Sequence, residues 1–369
     1  MLKNSKLILS LILCSRNDAY MGNSRWRLET SINLALLNAR DANFLDKLEI
    51  LVCDWGSDIP LSEVLNLVPE ANSRVKFVHV PPVVAKVEQK DSKFPEVIAL
   101  NAAARRAKGE FIGRIDNDTI VGEEFFKKFS EYANGHVYFP YDLNSSFLFV
   151  ERRSVPYRFT KKSPELKLVQ LYLKLTGQSL KIETSRDYGR PYWWSPVGIM
   201  LFHRDIWYET RGYDEKLIYW GWMEGDLAIR LEQKHKLVDF RDFVGNHLYH
   251  LEHYHNLTDY ENRNGPATPR KKNKVVEEGL SYKVNDQNWG LNCKDNVKYE
   301  CYDKINVTNY KNPIDLSLLS LLKFPFELIC LKVLLKYDTV KLQGIYCTLV
   351  HPIRKLKIFF TEVKVLLLR

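Results

Sequence analysis

The sequence lacks the short motifs that mark several common kinds of site. None of the six cysteines forms a Cys-x-x-Cys pair and most lie in apolar runs, which indicates buried thiols rather than a zinc or disulfide framework. Neither a Gly-x-Gly-x-x-Gly nor a Walker sequence is present, so the usual glycine-rich cradle for phosphates is missing. No basic helix interleaved with aromatic residues appears, so we predict no nucleic-acid partner.

A long apolar run is also missing, and no stretch is clean enough for a transmembrane helix. The run Leu7–Cys14 follows two lysines, as a signal peptide would, but it is short, and Leu13 is bulky where a cleavage site needs a small residue. We therefore interpret Leu7–Cys14 as a first buried strand and expect a cytoplasmic protein. The formal net charge of +9 favours an anionic partner such as nucleotide phosphates, acidic glycans or an anionic membrane surface.

Strand and helix patterns alternate along the first third of the chain. Leu48–Cys53 and Val75–Val80 read as strands, and a helix is predicted from about Pro95 to Lys108 with Gly109 as its C-cap. Such alternation is typical of parallel βαβ units, so we predict an α/β fold with a mixed, mostly parallel sheet flanked by helices.

The next strand ends in two acidic residues. Phe111, Ile112 and Ile115 form a short apolar run, and Asp116 and Asp118 follow it directly. Two carboxylates on one short loop repel each other unless a cation lies between them, and Mg²⁺ or Mn²⁺ suits such oxygen ligands. An acidic turn bonded to its own backbone is the simpler alternative.

The ends of three predicted strands carry polar residues that are expected to meet. Ser15, Arg16 and Asn17 follow the first strand, and Asp54 follows the second. Together with Asp116 and Asp118 they would lie at the carboxyl edge of the sheet, where open α/β folds bind ligands. We predict a nucleotide crevice in which a metal ion on the two aspartates neutralises the phosphates.

The second half of the chain carries a further group of motifs. They are Gly212-Tyr-Asp-Glu215, Tyr219-Trp-Gly-Trp222-Met-Glu224-Gly-Asp226 before a helix at Leu227–Lys236, and His247-Leu-Tyr-His250-Leu-Glu-His253-Tyr-His255. Four of the nine histidines fall in the last stretch. No internal repeat is visible.

These residues resemble the metal-dependent GT-A glycosyltransferases, in particular the family-2-like group and the relatives of β-1,4-galactosyltransferase. The resemblance rests on four elements in the family's order and covers about Leu7 to His255. The elements are Cys14-Ser15-Arg16-Asn17, the Asp54 edge, Asn101 through Asp118, and Gly212 through Asp226.

The resemblance implies roles for individual residues. Asp54 is expected to contact the uracil ring, Asp118 to bind Mn²⁺ or Mg²⁺ directly, and Asp116 to face the donor ribose or sugar near the metal. The expected cofactor and donor-binding residues are Ser15, Arg16, Asn17, Asp54, Asn101, Asp116 and Asp118. His250 is the expected second protein ligand, because His247-x-x-His250 matches the spacing of two ligands in the galactosyltransferase relatives. His253 and His255 are expected to be ordinary surface residues.

The catalytic acid departs from the family's pattern, in which Glu-Asp precedes a helix. Alignment on the helix places Glu224 at the position of the base, and alignment on the tryptophans leaves Asp226 as a second candidate. Either carboxylate would take the proton of the attacking acceptor hydroxyl. Tyr219 and Trp222 are predicted to contact substrate, Trp222 through its apolar face.

The predicted function is therefore a metal-dependent inverting glycosyltransferase that moves a sugar from a UDP-sugar to a glycan or lipid-linked acceptor, in surface polysaccharide or glycoconjugate synthesis. The motif around Trp222 leans toward galactose-type donors only by resemblance. One alternative is a non-catalytic glycan- or membrane-binding protein, which Met223 in place of an acid favours. Another is a sugar nucleotidyltransferase, although its glycine- and lysine-rich phosphate loop is not found here.

Three regions are predicted. Residues 1–265 form the GT-A catalytic domain, residues 266–312 a linker, and residues 313–369 an apolar and basic helical region. Lysines recur in that last region, which makes a spanning helix costly and favours one lying on the inner face of a membrane. Packing on the catalytic domain or on a second subunit is the alternative.

Overall fold

The protein was analysed as a computed structural model, which describes residues 6–183, 197–219, 221–253, 281–292 and 296–303. By its contacts the chain separates into two units, Met1–Tyr310 and Lys311–Arg369. The predictions for the tail 313–369, for most of the linker, and for Trp220 and His255 lie outside the described residues. Within the described residues, no helix combines the length and apolar character that crossing a membrane requires.

One half of the sheet consists of parallel strands in the order β3-β2-β1-β4. Their bounds are β1 Leu9–Ser15, β2 Leu48–Trp55, β3 Val75–Val80 and β4 Phe111–Arg114. The register pairs Ser15 with Asp54, so the two strands end side by side. The predicted strands are confirmed to within two residues at each end, because each is an apolar run buried on both faces of the sheet.

The other half is mixed and is arranged around one long strand, β6. Its strands are β5 Thr119–Val121, β6 Ser146–Val155, β7 Ile182–Glu183, β8 Val197–His203, β9 Lys236–Asp239 and β10 Leu248–Leu251. β8 lies antiparallel between β4 and β6, and β10 joins β6 to β5. β7 and β9 pair with opposite ends of β6. Most strands run in one direction, so the predicted α/β fold with a mixed, mostly parallel sheet is confirmed.

Helices cover both faces of this sheet. They are α1 Ser24–Asp41, α2 Leu61–Val64, α3 Pro82–Gln89, α4 Glu96–Arg106, α5 Glu123–Ala133, α6 Tyr157–Thr160, α7 Leu166–Thr176, α8 Arg204–Thr210, α9 Met223–Glu232 and α10 Arg241–Val244. Alternate residues of β1 enter two separate cores: Leu11 and Leu13 pack in the core that includes residues of α1 and α5, and Ile12 in the core that includes residues of α4, α8 and α9. This period-2 alternation explains why a strand so uniformly apolar is stable.

Two predicted helix ends were wrong. α4 ends with Ala107 as its C-cap rather than Gly109. Gly109 serves a close approach instead, since a Cβ there would lie 2.6 Å from the backbone nitrogen of Ser10. α9 begins at Met223, four residues earlier than predicted, and this places both candidate catalytic acids in its first turn.

Part of the predicted linker belongs to the sheet. Lys298–Cys301 forms an edge strand, β11, antiparallel to β3, and Trp289 is buried in the core beside α4. Cys14 and Cys53 are buried, as expected, and burial raises the pKa of both thiols, whereas Cys301 is exposed. The domain boundaries themselves stay a prediction.

Candidate active site

The three predicted strand ends do meet at the carboxyl edge of the sheet. The backbone N–H of Asn17 donates to Ser57 Oγ at 2.8 Å, which joins the loop after β1 to the loop after β2. The amide of Asn117 donates to Ser15 Oγ at 3.3 Å, which joins the first loop to the acidic turn. Arg16 donates to Asp18 at 2.9 Å and to the carbonyl of Lys93 at 3.0 Å, so its guanidinium borders the same edge.

Asp54 lies at this edge but is fully buried. Its carboxylate accepts from the hydroxyl of Ser57 and from the backbone N–H of Leu61 at 2.8 Å, and it contacts His79 Nδ1 at 3.1 Å. These bonds order the loop after β2 and the start of α2. The described contacts thus place the oxygens of Asp54 inside the protein, while its predicted contact to uracil stays a prediction.

Asn101 was expected to bind the donor; its contacts indicate a structural role, and donor binding stays a prediction. It is fully buried on α4, where its Oδ1 accepts from the backbone N–H of Tyr213 at 2.9 Å and its Nδ2 donates to the Tyr213 carbonyl at 2.9 Å. The same amide reaches Glu215 at 3.0 Å. Asn101 therefore fixes the Gly212–Glu215 turn against α4 rather than facing the crevice.

Asp118, His250 and His253 form a group that could hold a metal ion. One ligand atom from each lies within 4.8 Å of the others. The Nε2 atoms of His250 and His253 lie 3.7 Å and 3.5 Å from the Asp118 carboxylate. Strand pairing builds the group, because β10 is antiparallel to β5 and the N–H of Leu251 donates to the Asp118 carbonyl at 2.9 Å.

The expectation for the histidines is corrected in part. His253 is not an ordinary surface residue but the third member of the group, and its side chain is only 11% exposed. His247 is outside the group, and its Nδ1 lies 2.9 Å from the amide of Gln178. The spacing His247-x-x-His250 therefore does not bring the two histidines together, because the side chain of His247 contacts Gln178 instead of Asp118.

The charges around Asp118 favour its ionised form. Burial would raise the pKa of this carboxyl, but His250, His253 and Arg27 outweigh burial and hold it well below its usual range. Arg27 is fully buried, with Nη1 3.8 Å from Asp118, and its Nε and Nη1 have no hydrogen-bond partner among the described residues. Burial disfavours the charged form of His250, yet Asp118 and Glu183 raise its pKa to about 8.

Asp116 lies outside the metal group, although it was predicted to belong to it. Arg114 Nη2 lies 2.6 Å from one of its oxygens, and Arg152 donates to the other. Arg152 also donates to Glu183 at 2.7 Å, and Glu183 contacts His250 Nδ1 at 2.8 Å. Asp116 is thus joined to the metal group through side chains rather than as a ligand.

Sequence reasoning missed Arg152, Glu183, Arg114 and Glu96. Only a weak signal was present for Arg152, which lies in the polar run Glu151–Ser154 after the apolar run Phe147–Val150; the fold buries this strand, and a buried charge needs a partner. Glu183 offered none, because its partners are distant in sequence. Arg114 was visible only as a polar residue between apolar neighbours.

Glu224 and Asp226 have different surroundings. Glu224 is 24% exposed, and its carboxylate lies 3.3 Å from Arg114, which also contacts Glu96 at 2.8 Å. Asp226 is 1% exposed and forms an ion pair with Arg230 at 2.9 Å, one turn along α9. Glu96, Asp116 and Glu224 therefore form an acidic cluster around Arg114, whereas Asp226 is enclosed.

The aromatic residues before α9 occupy an unusual backbone conformation. Trp222 is the N-cap of α9 with φ of 73°, a left-handed conformation that non-glycine residues adopt rarely and often at functional sites. The hydroxyl of Tyr219 donates to Asp91 at 2.5 Å. Both side chains are half-buried, so each keeps some exposed surface.

The donor set of the metal group fits a divalent cation. One carboxylate and two imidazoles leave coordination positions open for water or a phosphate oxygen, as at catalytic metal sites. Mg²⁺ prefers oxygen ligands, whereas imidazole suits the transition metals. The two histidines therefore favour Mn²⁺ over Mg²⁺.

Comparison with known proteins identifies no family. No protein-family model matches the chain, and no curated protein matches it. Among solved structures it is similar to TarS of S. aureus, with 13% identity and a TM-score of 0.38 over 67% of this chain and 37% of the TarS chain.

Two structures of TarS 1–349 are also similar at 13% identity. The one in complex with UDP-GlcNAc has a TM-score of 0.39 over 68% of this chain and 60% of that chain. The one in complex with UDP has a TM-score of 0.37 over 67% and 61%. The chain spans less than two-thirds of the length of these TarS chains, and a likeness at this level carries no functional information.

Proposed function

We propose that this protein is a metal-dependent, inverting glycosyltransferase of the GT-A type that transfers a sugar from a UDP-sugar to a hydroxyl of a glycan or lipid-linked acceptor. The observation that carries the proposal is the meeting of Asp118, His250 and His253 at the carboxyl edge of the sheet. That edge is the ligand-binding side of an open α/β sheet. The resemblance of the motifs to GT-A enzymes supplies the class of reaction.

In this proposal Asp118, His250 and His253 hold Mn²⁺. A metal ion held there would offset the negative charge of the departing UDP. The loops that carry Ser15, Arg16 and Asn17 lie beside the acidic turn and are proposed to border the donor. Asp116, held between Arg114 and Arg152, is proposed to face the ribose or the sugar and is not retained as a ligand.

Glu224 is the proposed base. It accepts the proton of the acceptor hydroxyl while the hydroxyl oxygen bonds to the anomeric carbon and the bond from that carbon to UDP breaks. Such direct displacement inverts the configuration. The contact of Glu224 with Arg114 orients the carboxylate, and its partial exposure lets an acceptor reach it. Trp222, directly before this turn, is proposed to offer an apolar face to a sugar ring.

Asp226 has a supporting role in this scheme. Its ion pair with Arg230 and the bond from Arg230 to the Gly212 carbonyl at 2.9 Å tie the first turn of α9 to the turn that Asn101 holds. The enclosed position of Asp226 leaves Glu224 as the acid that a substrate can approach.

Calorimetric titration with UDP in Mn²⁺ and in EDTA tests the metal and the nucleotide together. We expect the wild type to bind UDP in Mn²⁺ and not in EDTA, and we expect Asp118→Ala to bind UDP in neither. Asp205→Ala is the control, because Asp205 is 82% exposed on α8. If Asp118→Ala binds UDP in Mn²⁺ as tightly as the wild type, the metal assignment is wrong.

A screen of UDP-sugars for metal-dependent hydrolysis then identifies the donor without an acceptor. Hydrolysis of one UDP-sugar that Glu224→Gln abolishes would support transfer chemistry. UDP binding without turnover of any donor, in the presence of candidate acceptors, would instead favour a non-catalytic protein.

We also propose that residues 313–369 bring the enzyme to an anionic membrane, where a lipid-linked acceptor would lie. Apolar side chains interrupted by lysines suit the headgroup region, and each lysine near it contributes about 1 kcal/mol. Full-length protein should float with anionic vesicles, and protein truncated after Asn312 should not. If the full-length protein fails to float at low salt, this part of the proposal is dropped.

A further inference from the structure

A closed ring of polar side chains includes two of the three proposed metal ligands, Asp118 and His250. Asp116 and Asp118 belong to one turn, and the ring returns from one to the other through Arg152, Glu183 and His250. The two strands β7 and β10 both pair with β6, and this brings Glu183 beside Arg152 and His250 beside Ser154. The ring therefore depends on the sheet and not on a loop alone.

Glu183 contacts the ring nitrogen of His250 that faces away from Asp118. The distance from Glu183 Oε1 to His250 Nδ1 is 2.8 Å, while His250 Nε2 lies 3.7 Å from Asp118. An ionised carboxylate accepts hydrogen bonds and donates none, so Nδ1 must carry the hydrogen. Nε2 is then the nitrogen whose lone pair a metal ion would bind, in place of a proton.

Glu183 is itself held in place. Its second oxygen accepts from Arg152 Nε at 2.7 Å, and the same guanidinium reaches Asp116 through Nη1. A carboxylate fixed at both oxygens presents one orientation to the histidine. Partners of this kind fix the tautomer and the ring angle of a metal-binding histidine and raise its basicity.

We propose that Glu183 is a positioning residue for the metal, which fixes the tautomer and orientation of His250, with Arg152 as its anchor. The proposal rests on the metal site proposed above. It adds that metal affinity depends on a side chain that does not touch the metal and that lies in a stretch where the sequence offers no motif.

The test measures Mn²⁺ binding by the full chain in saturating UDP, from the loss of the electron paramagnetic resonance signal of free Mn²⁺. Glu183→Ala should weaken Mn²⁺ binding roughly 10–100-fold, as loss of such a partner usually does. Glu183→Gln should weaken it less, because the amide oxygen can still accept from Nδ1, although the charge is lost and the amide NH2 cannot accept from Arg152. A larger loss of Mn²⁺ affinity in Glu183→Ala than in Glu183→Gln would indicate that the hydrogen bond to His250, and with it the orientation of the ring, is what matters.

Glu151→Gln is the matched control. Glu151 precedes Arg152 on β6, is 1% exposed and forms an ion pair with Arg241, so this variant also breaks a buried ion pair close by. It should lose stability and keep the Mn²⁺ affinity of the wild type. A comparable loss of affinity in Glu151→Gln would show that any damage to β6 weakens the site and would overturn the proposal.

His250→Ala distinguishes a failure of the metal site from a failure of the role proposed for Glu183. If His250→Ala loses Mn²⁺ and both Glu183 variants bind within about twofold of the wild type, the role of Glu183 is refuted while the metal site stands. If His250→Ala binds like the wild type, the metal site itself is wrong.

Equal losses in Glu183→Ala and Glu183→Gln would mean that only charge matters and would also overturn the positioning role. Should Glu183→Ala fail to fold, the isosteric Glu183→Gln against Glu151→Gln decides the question.

Discussion

Asp226 Oδ2 lies 2.9 Å from Arg230 Nε, and both side chains are almost fully buried. Glu224, two residues earlier, instead contacts Arg114 at 3.3 Å and is partly exposed. The two acids in the first turn of α9 thus differ: Asp226 forms an ion pair within the helix, and Glu224 belongs to the acidic cluster around Arg114. This difference allows the candidate bases to be told apart by experiment.

Glu224→Gln should reduce turnover roughly 10²–10⁴-fold, because an amide cannot take the proton of an acceptor hydroxyl. Shape and donor affinity should stay close to those of the wild type. Steady-state kinetics with the donor found in the screen and calorimetry with UDP in Mn²⁺ measure both. Turnover in Glu224→Gln close to that of the wild type would remove Glu224 from the mechanism.

Asp226→Asn should act on stability instead. Removal of one partner leaves the buried charge of Arg230 uncompensated, which costs about 3–5 kcal/mol in the free energy of unfolding. Urea denaturation measures this, and kinetics at a temperature where the variant is folded measure what turnover remains. A stable Asp226→Asn protein with a larger loss of turnover than Glu224→Gln would move the base to Asp226.

Asn101→Ala tests whether Asn101 has a structural role, which would correct its assignment as a donor-binding residue. The buried N–H of Tyr213 would lose its acceptor, which costs about 1–3 kcal/mol. Asn134→Ala is the control, because Asn134 is exposed and its side chain donates to Ser130, within the same helical turn. The corrected role predicts lower stability with unchanged UDP affinity in the folded protein. Unchanged stability with weaker UDP binding would restore the original donor-binding assignment.

The sequence was informative where local pattern decides structure. β1, β2 and β3 are apolar runs between polar ends, and their prediction needed no knowledge of partners. Asp118 and His250 were predicted correctly as neighbours because a family resemblance supplied a contact that no local pattern shows.

The residues whose surroundings differ from expectation are those whose contacts are distant in sequence. Asp116 belongs to the same Asp-x-Asp motif as Asp118, but its carboxylate accepts a hydrogen bond from Arg152, 36 positions away. Asn101 is bonded to Tyr213, 112 positions away, which only the folded chain reveals. His253 lies beyond the end of β10, and its approach to Asp118 depends on the pairing of β10 with β5.

Glu96→Gln should change how stability depends on pH. Burial raises the pKa of Glu96 from 4.5 to about 7; Arg114 opposes this shift, and Asp116 and Glu224 support it. The folded protein therefore retains a proton that the unfolded chain has released, so stability falls as the pH rises between these two values. Glu96→Gln mimics the protonated form and should melt close to the wild type at about pH 5 and above it at about pH 8.

The size of that difference is limited by exposure, because the Glu96 side chain is 33% exposed and solvent screens its charge. Thermal denaturation at both pH values measures it. Glu123→Gln, an exposed glutamate in the first turn of α5, is the control. A melting temperature for Glu96→Gln that stays below that of the wild type at high pH would show that the bond to Arg114 outweighs burial.

His253→Ala and His247→Ala form a matched pair that tests which histidines hold the metal. Both residues belong to the same histidine-rich stretch, but only His253 lies near Asp118, at 3.5 Å, while His247 contacts Gln178. His253→Ala should weaken Mn²⁺ binding and should narrow the preference for Mn²⁺ over Mg²⁺, because loss of an imidazole leaves a set richer in oxygen. His247→Ala should change neither. Competition of Mg²⁺ with Mn²⁺ in saturating UDP, followed by electron paramagnetic resonance, gives both affinities. A loss of Mn²⁺ affinity in His247→Ala with none in His253→Ala would mean that the ligand spacing read from the sequence is right and that the group at Asp118 is not the metal site.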